Sequence, residues 1–244
     1  MRPATVIESI GALDWEPLGT HGIKRKLLSA DPVTGAVTQY VHIPENWVGG
    51  GVAHYHTCME EAFIIEGDVS LIPDDPLVDG SYLYRPPYIV HGHDERADKG
   101  CLCIIRMGGE MDFNLVHEPK QPVEYAIEPV TDPRGHVLHL KSPGMTWQSR
   151  GDGDGRFDLK LLSKAGDTGA YTGLVKLPPG WRGVLSTPSA FSREWVVLSG
   201  CWQLADGSTC GPLSYRFFAK GTPDAAVVAS DEGCLVLTWC EVAA

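Results

Sequence analysis

The chain contains an internal repeat, and this repeat limits the fold more than any other feature of the sequence. One copy starts at Lys26 and reads KLLSADPVTGAVTQYVHIPENWVGG; the other starts at Lys160 and reads KLLSKAGDTGAYTGLVKLPPGWRG. The offset of 134 positions holds without a gap as far as Gly49 and Gly183. Such self-similarity indicates two copies of one structural unit. A length of 244 residues is sufficient for two domains of ordinary size.

The segment between the two copies has the composition of a connection. It reads EPKQPVEYAIEPVTDPRG over residues 118–135 and is polar and rich in proline. Clusters of this kind between patterned segments are typical of loops and linkers. We therefore predict one domain at 1–117, a linker at 118–135 and a second domain at 136–244.

Short apolar runs in both copies predict β-strands. The runs are rich in β-branched and aromatic residues, and glycine or proline bounds most of them. They read VTQYVHI, AFIIEG, CLCIIRM, YTGLVKL, EWVVLSG and CLVLTWC. We find no amphipathic helix longer than two turns, and 28 glycines with 18 prolines suit many short strands and tight turns. The sequence therefore predicts an all-β chain.

The segment GGGVAHYHTCMEEAFIIEG carries the residues that indicate chemistry. His54 and His56 are two positions apart, and Glu60 follows four positions later. Alternate residues of a strand face the same side, so these three side chains converge if the chain is extended there. A fourth candidate, His91, lies near the end of GSYLYRPPYIVHGH. Imidazole and carboxylate groups are good ligands for first-row divalent metals, so we predict a metal site made of these four side chains.

The two segments resemble the paired motifs of the cupin superfamily, G(X)5HXH(X)3–4E(X)6G and G(X)5PXG(X)2H(X)3N. The matching residues are Gly49 (one place out of register), His54, His56, Glu60 and Gly67, followed by Gly80, Pro86 and His91. Tyr88 stands where the family usually has glycine, and Glu95 where it often has asparagine. Neither position is a ligand in the family, so the resemblance still implies the same metal ligands. The turn before the last histidine is expected to differ in shape.

Together, the resemblance and the repeat imply a bicupin, with two tandem cupin jelly-roll β-barrels. Cupins with these four ligands include metal-dependent dioxygenases of small dicarbonyl, phenolic or enediol compounds, and also decarboxylases, isomerases and lyases. The pattern is similar to bacterial bicupins related to acetylacetone dioxygenase and to the cupin domains of zinc-binding anti-sigma factors. Because one fold supports many functions, the choice among these activities rests on analogy.

The second copy lacks the predicted ligands. Its segment VLSTPSAFSREWVVLS has no histidine, and Arg193 stands where the first copy has Glu60. The stretch AKGTPDAAV, which corresponds to the region of His91, offers a single carboxylate, Asp224. A guanidinium has no lone pair for a cation, and one carboxylate does not hold an ion alone. We therefore predict that the metal motifs act only in the first domain and that the second domain is structural.

Further polar residues of the first copy are weaker candidates for the site. His93 lies two positions after the last predicted ligand and shares its parity. Cys58 lies between the ligands, although a lone cysteine rarely replaces a carboxylate. Arg106, on the strand CLCIIRM, is a candidate to face the interior and bind an anionic substrate, because a buried arginine must be paired. Glu61 points away from the ligands, where a surface or supporting role is expected.

Several other residues receive structural or undecided interpretations. Cys101 and Cys103 are expected to pack in the core. His136 and His139 have no evident carboxylate partner and are interpreted as surface or structural residues. If the reaction needs a general acid or base, the sequence does not choose among four candidates: Tyr40, His42, Tyr84 and His93.

Charge and composition exclude several classes of partner. The formal net charge of −11 is unfavourable for nucleic acids and anionic membranes, which both require basic patches. No apolar run reaches the roughly 18 residues of a membrane span, and the N-terminus lacks a signal-peptide apolar region. Seven scattered cysteines suit a reduced, cytoplasmic protein. We expect a small-molecule substrate and either a monomer or a homodimer.

Two functional hypotheses follow from the predicted site. Three imidazoles and one carboxylate leave one or two open positions on a six-coordinate ion, which suits a mononuclear dioxygenase or oxygenase. Fe(II) is the favoured metal, with Mn(II), Ni(II) and Zn(II) as alternatives. The other hypothesis is a metal- or ligand-binding sensor without turnover, and a non-redox lyase or isomerase is a third reading.

Overall fold

Antiparallel β-strands form nearly all of the regular structure, as the short apolar runs predict. The computed structural model describes residues 2–19, 21–71, 75–117, 123–185, 190–222 and 226–242. Within these ranges the helical elements are three short 3-10 turns, Ile10–Ala12, Ser142–Gly144 and Gly153–Gly155. The all-β prediction is therefore confirmed. No helix of the described residues has the length and apolar character needed to cross a bilayer.

The strands are between two and ten residues long. In chain order they are β1 (Thr5–Ile7), β2 (Glu16–Pro17), β3 (Lys24–Ala30), β4 (Val37–Ile43), β5 (Trp47–Val48), β6 (Ala53–Tyr55), β7 (Glu60–Val69), β8 (Leu77–Val78), β9 (Ser81–Arg85), β10 (Ile89–Val90), β11 (Arg96–Ala97), β12 (Cys101–Met107), β13 (Asn114–Val116), β14 (Tyr125–Ala126), β15 (Val137–Lys141), β16 (Gln148–Arg150), β17 (Phe157–Lys164), β18 (Tyr171–Leu177), β19 (Trp181–Leu185), β20 (Phe191–Gly200), β21 (Trp202–Leu204), β22 (Thr209–Cys210), β23 (Tyr215–Phe218), β24 (Val227–Ser230) and β25 (Cys234–Val242).

The chain divides into two units with different bounds from those drawn on the sequence. Unit 1 is Asp14–Gly144, and unit 2 is Arg2–Leu13 together with Met145–Ala244. The segment predicted as a linker contributes to unit 1, because β14 pairs with β10 there. Residues 118–122 of that segment lie outside the described residues. The domain limits 1–117 and 136–244 stay a prediction about the two sequence copies.

Each unit is built on one large antiparallel sheet, and the two sheets have the same strand order. In unit 1 the order is β15-β9-β7-β12-β4-β3-β2, with β8 attached to β7. In unit 2 it is β1-β23-β20-β25-β18-β17-β16. Smaller sheets pair β10 with β14, β5 with β11 and β6 with β13 in unit 1, and join β19, β24, β21 and β22 in unit 2. The shared order gives the sequence repeat a structural counterpart.

A strand precedes each copy of the sequence repeat, β1 before the first copy and β15 before the second. Each of them lies in the large sheet formed by the other copy. β1 pairs with β23 in unit 2, where Ile7 lies opposite Tyr215. β15 pairs with β9 in unit 1, where Leu140 lies opposite Tyr82. The two repeats therefore exchange their first strands, and each large sheet needs both halves of the sequence to be complete.

Apolar side chains on one face of each large sheet form its core, and we call this the inner face. In unit 1 the core includes Cys101 and Cys103, so the prediction that they are core residues is confirmed. In unit 2 three tryptophans, Trp181, Trp195 and Trp202, occupy the core, and the rings of the last two meet edge to face at 4.7 Å. The core of unit 2 thus contains three indole rings, whereas among the described residues the core of unit 1 contains Trp47 alone.

Candidate metal centre

The two sequence segments predicted to form the site meet through a direct backbone pairing. His54 lies on β6 and His91 follows β10. The N–H of His54 donates to the carbonyl oxygen of His91 at 2.8 Å, and the N–H of His91 donates to that of His54 at 2.9 Å. This isolated bridge fixes two segments that are distant in the sequence against each other.

Three of the four predicted ligands converge. His54, His56 and His91 each offer one ring nitrogen, and the three atoms lie within 4.8 Å of one another. The rings of His54 and His91 have centroids 4.3 Å apart. His56 and His91 are buried, and His54 is half-buried. Among the described residues this is the only such group of histidine, cysteine or acidic side chains.

Backbone oxygens hold the outer nitrogens of two of these imidazoles. Nδ1 of His91 donates to the carbonyl oxygen of Ile89 at 3.0 Å. Nδ1 of His56 donates to the carbonyl oxygen of Asp112. With the proton on Nδ1, each Nε2 keeps a free lone pair, and such outer hydrogen bonds orient histidines that bind metals. The arrangement therefore fits a divalent metal ion.

Burial keeps two of the imidazoles neutral. It lowers the pKa of His54 to about 4, with a further contribution from His56. Burial, and after it the Arg85 guanidinium, lower the pKa of His91 to about 3. Because a metal-binding imidazole must be unprotonated, these groups are ready to act as ligands near pH 7.

Glu60 lies beside the histidines and also pairs with an arginine. Its Oε2 atom is 3.4 Å from Nε2 of His91 and 4.0 Å from Nε2 of His56. The same oxygen accepts a hydrogen bond from Nη1 of Arg85 at 2.6 Å. Burial acts to raise the pKa of Glu60, but Arg85 and the two histidines hold it well below its usual range. The fourth predicted ligand is therefore an ionised carboxylate at the edge of the cluster.

Comparison with known proteins supports the resemblance seen in the motifs. Residues 4–109 match the ChrR cupin-like domain family. This first part of the chain is therefore similar to a cupin-like domain. The match spans less than half of the chain, and no curated protein matches the sequence. Together with the structural neighbours, it supports the cupin superfamily.

Solved structures share the fold over nearly the whole chain. A proposed dioxygenase from Nostoc punctiforme is 15% identical with a TM-score of 0.79, covering 98% of this chain and 82% of the other. A proposed glyoxylate-induced protein from Pseudomonas aeruginosa is 14% identical with a TM-score of 0.68, at 97% and 88% coverage. Oxalate decarboxylase from Lactobacillus farciminis is 11% identical with a TM-score of 0.58, at 98% and 86% coverage. At these identities the likeness shows the fold alone.

Two residues near the three histidines were not predicted from the sequence to lie at the site. Arg85, whose side chain is 5% exposed, lies opposite Glu60 in the pairing of β9 with β7. Glu124 accepts hydrogen bonds from Nε of Arg85 at 3.1 Å and from Nη2 at 2.6 Å. Arg85 lies inside the second cupin motif. Its position opposite Glu60 could have been predicted by pairing the two motif strands antiparallel. Glu124 lies in the segment interpreted as a linker and gave no such signal.

Both histidines predicted to lack a carboxylate partner have one. Nε2 of His136 is 3.1 Å from Oε2 of Glu124. Nδ1 of His139 is 2.6 Å from Oδ2 of Asp75. The prediction was wrong because both partners are distant from their histidines in the sequence. Neither histidine belongs to the cluster of three.

Arg106 does not face the three histidines. Its Nη1 donates to Oε2 of Glu61 at 2.5 Å, and the Tyr82 hydroxyl donates to Oε1 of Glu61 at 2.6 Å. Arg106 lies opposite Glu61 in the sheet, while Met107 lies opposite Glu60, so Arg106 projects from the outer face. The hypothesis that Arg106 faces the interior and binds substrate is therefore wrong. Of the two roles expected for Glu61, surface or supporting, the surface role is wrong. Glu61 is 1% exposed.

Most of the acid–base candidates are also on the outer face. Tyr40 and His42 alternate with the core residues of β4 and pack against Trp15, with ring centroids 5.8 Å away in both cases. The Tyr84 hydroxyl donates to Oδ2 of Asp132 at 2.7 Å. His93 lines a cavity next to the motif segments, and its Nε2 has no hydrogen-bond partner among the described residues. His42 lines a different cavity, beside Gly67 at the end of the first motif.

The two departures from the cupin motif have clear structural outcomes. Tyr88 has φ of 68°, the left-handed conformation that glycine favours, so the replacement keeps a glycine-like turn. Its N–H donates to the carbonyl oxygen of His56 at 2.9 Å. Glu95 lines the same cavity as His93, of about 360 Å³, and burial raises its pKa to about 7. The expected change in the shape of the turn is therefore not seen at the backbone of Tyr88.

A short segment after β12 lies against the histidines. Phe113 is 59% exposed, and its ring centroid is 5.0 Å from that of His54 and 5.3 Å from that of His56. The Asp112 carboxylate accepts from the N–H of Thr57 at 3.0 Å and from its hydroxyl at 2.8 Å. This segment therefore places an aromatic ring at the open side of the site. Cys58 lies nearby with Sγ 3.6 Å from the carbonyl oxygen of Glu110, outside the cluster.

The second copy places an arginine where the first has Glu60. Nη2 of Arg193 donates to the carbonyl oxygen of Thr222 at 2.5 Å. Residues 186–189 and Asp224, which correspond to the region of the ligands in the first copy, lie outside the described residues. That unit 2 holds no metal stays a prediction.

Proposed function

We propose that this chain is a metal-dependent enzyme, a mononuclear dioxygenase or oxygenase of a small oxygenated organic molecule. His54, His56, Glu60 and His91 are the proposed ligands, and Fe(II) is the favoured metal. The convergence of three histidine nitrogens carries the proposal. One structural neighbour is described as a proposed dioxygenase and others as oxalate decarboxylases, which agrees with an enzymatic role.

The residues around the cluster suit the handling of a small substrate. A bound metal would supply Lewis acidity and redox chemistry. The chain orients the imidazoles through Nδ1 hydrogen bonds, as at His56 and His91. Phe113 offers an apolar surface to a molecule that approaches His54 and His56. Fixed ligands beside an apolar wall bind and orient a small molecule and restrict the access of water.

We further propose that each unit is a cupin barrel and that unit 2 is a scaffold. The identical strand order of the two large sheets supports this architecture. In unit 2 the core side chains Trp181, Trp195 and Trp202 take up the interior. Trp195 and Trp202 stand where unit 1 has the smaller Ala62 and Val69, so the core of unit 2 leaves less room for a ligand.

A second candidate function is zinc-dependent sensing or storage without turnover. Three imidazoles and the Glu60 carboxylate provide four donors, which satisfy the tetrahedral preference of a structural Zn²⁺ site. A saturated ion has no position for substrate, so the identity and coordination of the metal separate the two candidates.

Metal analysis of the purified protein tests this proposal. The wild type, His56→Ala and a His139→Ala control would be purified without chelator or affinity metal and analysed for bound elements. About one equivalent of iron, manganese or nickel, lost only in His56→Ala, supports the proposed centre and justifies oxygen-consumption assays with dicarbonyls and catechols. Stoichiometric zinc favours the sensor. Absence of metal from the wild type, even after reconstitution, overturns the site.

A further inference from the structure

A row of buried charges connects Glu60 to the segment that follows the second motif. The Glu60 carboxylate pairs with Nη1 of Arg85 at 2.6 Å. On its other side, Arg85 pairs with Glu124 at 2.6 Å through Nη2. Glu124 also contacts His136 at 3.1 Å. The side chains of Glu60, Arg85 and Glu124 are 14%, 5% and 3% exposed, so water screens these interactions little.

The geometry of Arg85 is fixed from several directions. Its position opposite Glu60 follows from the β7–β9 register, and two prolines end β9 directly after it. Nε and Nη2 form a fork on Glu124, which leaves Nη1 for Glu60. A two-point contact of this kind orients a guanidinium as well as binding it. Glu124 therefore determines where Nη1 of Arg85 lies.

The contact with Arg85 falls on the oxygen of Glu60 that faces the histidines. Oε2 accepts from Nη1 of Arg85 and is 3.4 Å from Nε2 of His91. A carboxylate oxygen has two lone pairs, so it can accept one hydrogen bond and still bind a cation. Partners of this type around metal ligands set ligand orientation, and their loss typically weakens metal binding.

We propose that Arg85, oriented by Glu124, is a positioning residue of the metal centre that holds Oε2 of Glu60 beside the ligating nitrogens of His56 and His91. This inference rests on the proposed metal site. It gives the segment after the second motif a role at that site, because β14 immediately after Glu124 also pairs with β10, which precedes His91. The segment thus supports two of the four proposed ligands.

The outer face of the same sheet provides a matched control. Arg106 is 5% exposed and pairs with Glu61 at 2.5 Å, just as Arg85 pairs with Glu60 on the inner face. Removing either guanidinium takes one charged partner from a buried carboxylate and destabilises the fold, although Glu61 keeps its contacts with Tyr82 and Arg134. Only Arg85 contacts a proposed ligand, so only its removal should change metal binding.

The experiment measures metal affinity rather than turnover. Apo protein would be titrated with Co²⁺ and Zn²⁺ in competition with a chromophoric chelator, and the Co²⁺ absorption spectrum recorded. We expect Arg85→Gln to weaken binding about 10- to 100-fold and to change the spectrum. Glu124→Gln should act in the same direction with a smaller effect, and Arg106→Gln should stay within about twofold of wild type.

A double substitution separates positioning from general damage. If Arg85 acts through Glu60, adding Arg85→Gln to Glu60→Gln should change affinity by no more than about twofold. The inference is overturned if Arg85→Gln weakens binding no more than Arg106→Gln, or if its full effect persists in the Glu60→Gln background. If circular dichroism shows that Arg85→Gln does not fold, Glu124→Gln takes its place, and the inference is judged by the same two comparisons. A wild type that binds neither ion instead overturns the metal centre itself.

Discussion

Replacing Gly67 by alanine tests whether the last glycine of the first motif is required by the fold or by the metal. Gly67 has φ of +91°, and a Cβ there would lie 1.9 Å from the carbonyl oxygen of Gly100. Its counterpart Gly200 has φ of +70°, and a Cβ would lie 2.0 Å from the carbonyl oxygen of Gly233. The counterpart lies in the copy without the predicted ligands. The close approach therefore belongs to the sheet and not to the metal.

The expected cost combines a backbone term and a packing term. A residue with a Cβ in the left-handed region costs about 1–2 kcal/mol. The clash is with backbone, so no rotamer change relieves it, and the strands must separate to reach the 3.0 Å below which Cβ contacts essentially never occur. Overpacking of this type costs about 1–3 kcal/mol. We expect Gly67→Ala and Gly200→Ala each to lower the free energy of unfolding by about 2–5 kcal/mol.

Urea unfolding of the apo proteins, followed by tryptophan fluorescence and circular dichroism, measures this cost. Gly180→Ala isolates the backbone term, because Gly180 has φ of +75° and a Cβ there would meet nothing within 4 Å. Gly50→Ala carries neither penalty and should stay within about 0.5 kcal/mol of wild type. The reasoning is refuted if Gly67→Ala destabilises no more than Gly180→Ala, or if Gly200→Ala is harmless while Gly67→Ala is not.

Two further predictions concern buried charge and pH. Glu61→Gln removes the buried carboxylate that pairs with Arg106 at 2.5 Å and lies 3.7 Å from Nη1 of Arg134, and should lower the free energy of unfolding by about 3–5 kcal/mol in urea titrations; a loss under about 1 kcal/mol contradicts this. The apo protein should lose stability as the pH falls from 6.5 to 4.5. The folded pKa values of His54 and His91, about 4 and about 3, lie below the ordinary 6.5, so the unfolded state takes up protons first. Each histidine contributes up to about 1.4 kcal/mol of stability per pH unit. Glu95, with its pKa raised to about 7, binds a proton in the folded state first, so its effect on stability cancels that of about one histidine. Unfolding of chelator-treated protein at pH 5, 6 and 7 should therefore show stability rising with pH, and a flat or falling profile would count against it.

The sequence predicted those features of the fold that depend on neighbouring residues. The runs VTQYVHI, CLCIIRM and YTGLVKL are β4, β12 and β18 with the same bounds, because turn residues interrupt the apolar pattern at their ends. The convergence of His54 with His56 follows from their spacing along one segment. Such features need no knowledge of which strand pairs with which.

Features that depend on strand pairing could not be predicted in this way. Arg106 was assigned to the wrong face of the sheet. β12 is apolar on both faces, as expected of a strand buried on two sides, so its apolar pattern does not show which face is the inner one. Arg106 has the opposite parity to Cys101 and Cys103, which were predicted to be core residues, and this difference could have placed it on the outer face. The contact of Arg85 with Glu124 depends on where a polar segment folds back, and no local pattern encodes that.

The exchanged first strands affect the order in which the protein can fold during synthesis. β15 emerges from the ribosome soon after the other strands of its sheet, so the nascent chain can complete that sheet once residue 141 is available. β1 is made before the other strands of its sheet, and its partner β23 follows more than 200 residues later. Until then β1 is an unpaired edge strand, which invites pairing with other chains. Contacts of such long sequence separation also form slowly. β1 is thus among the last strands of its sheet to pair, and unit 2 is the half of the molecule expected to depend most on protection during biosynthesis.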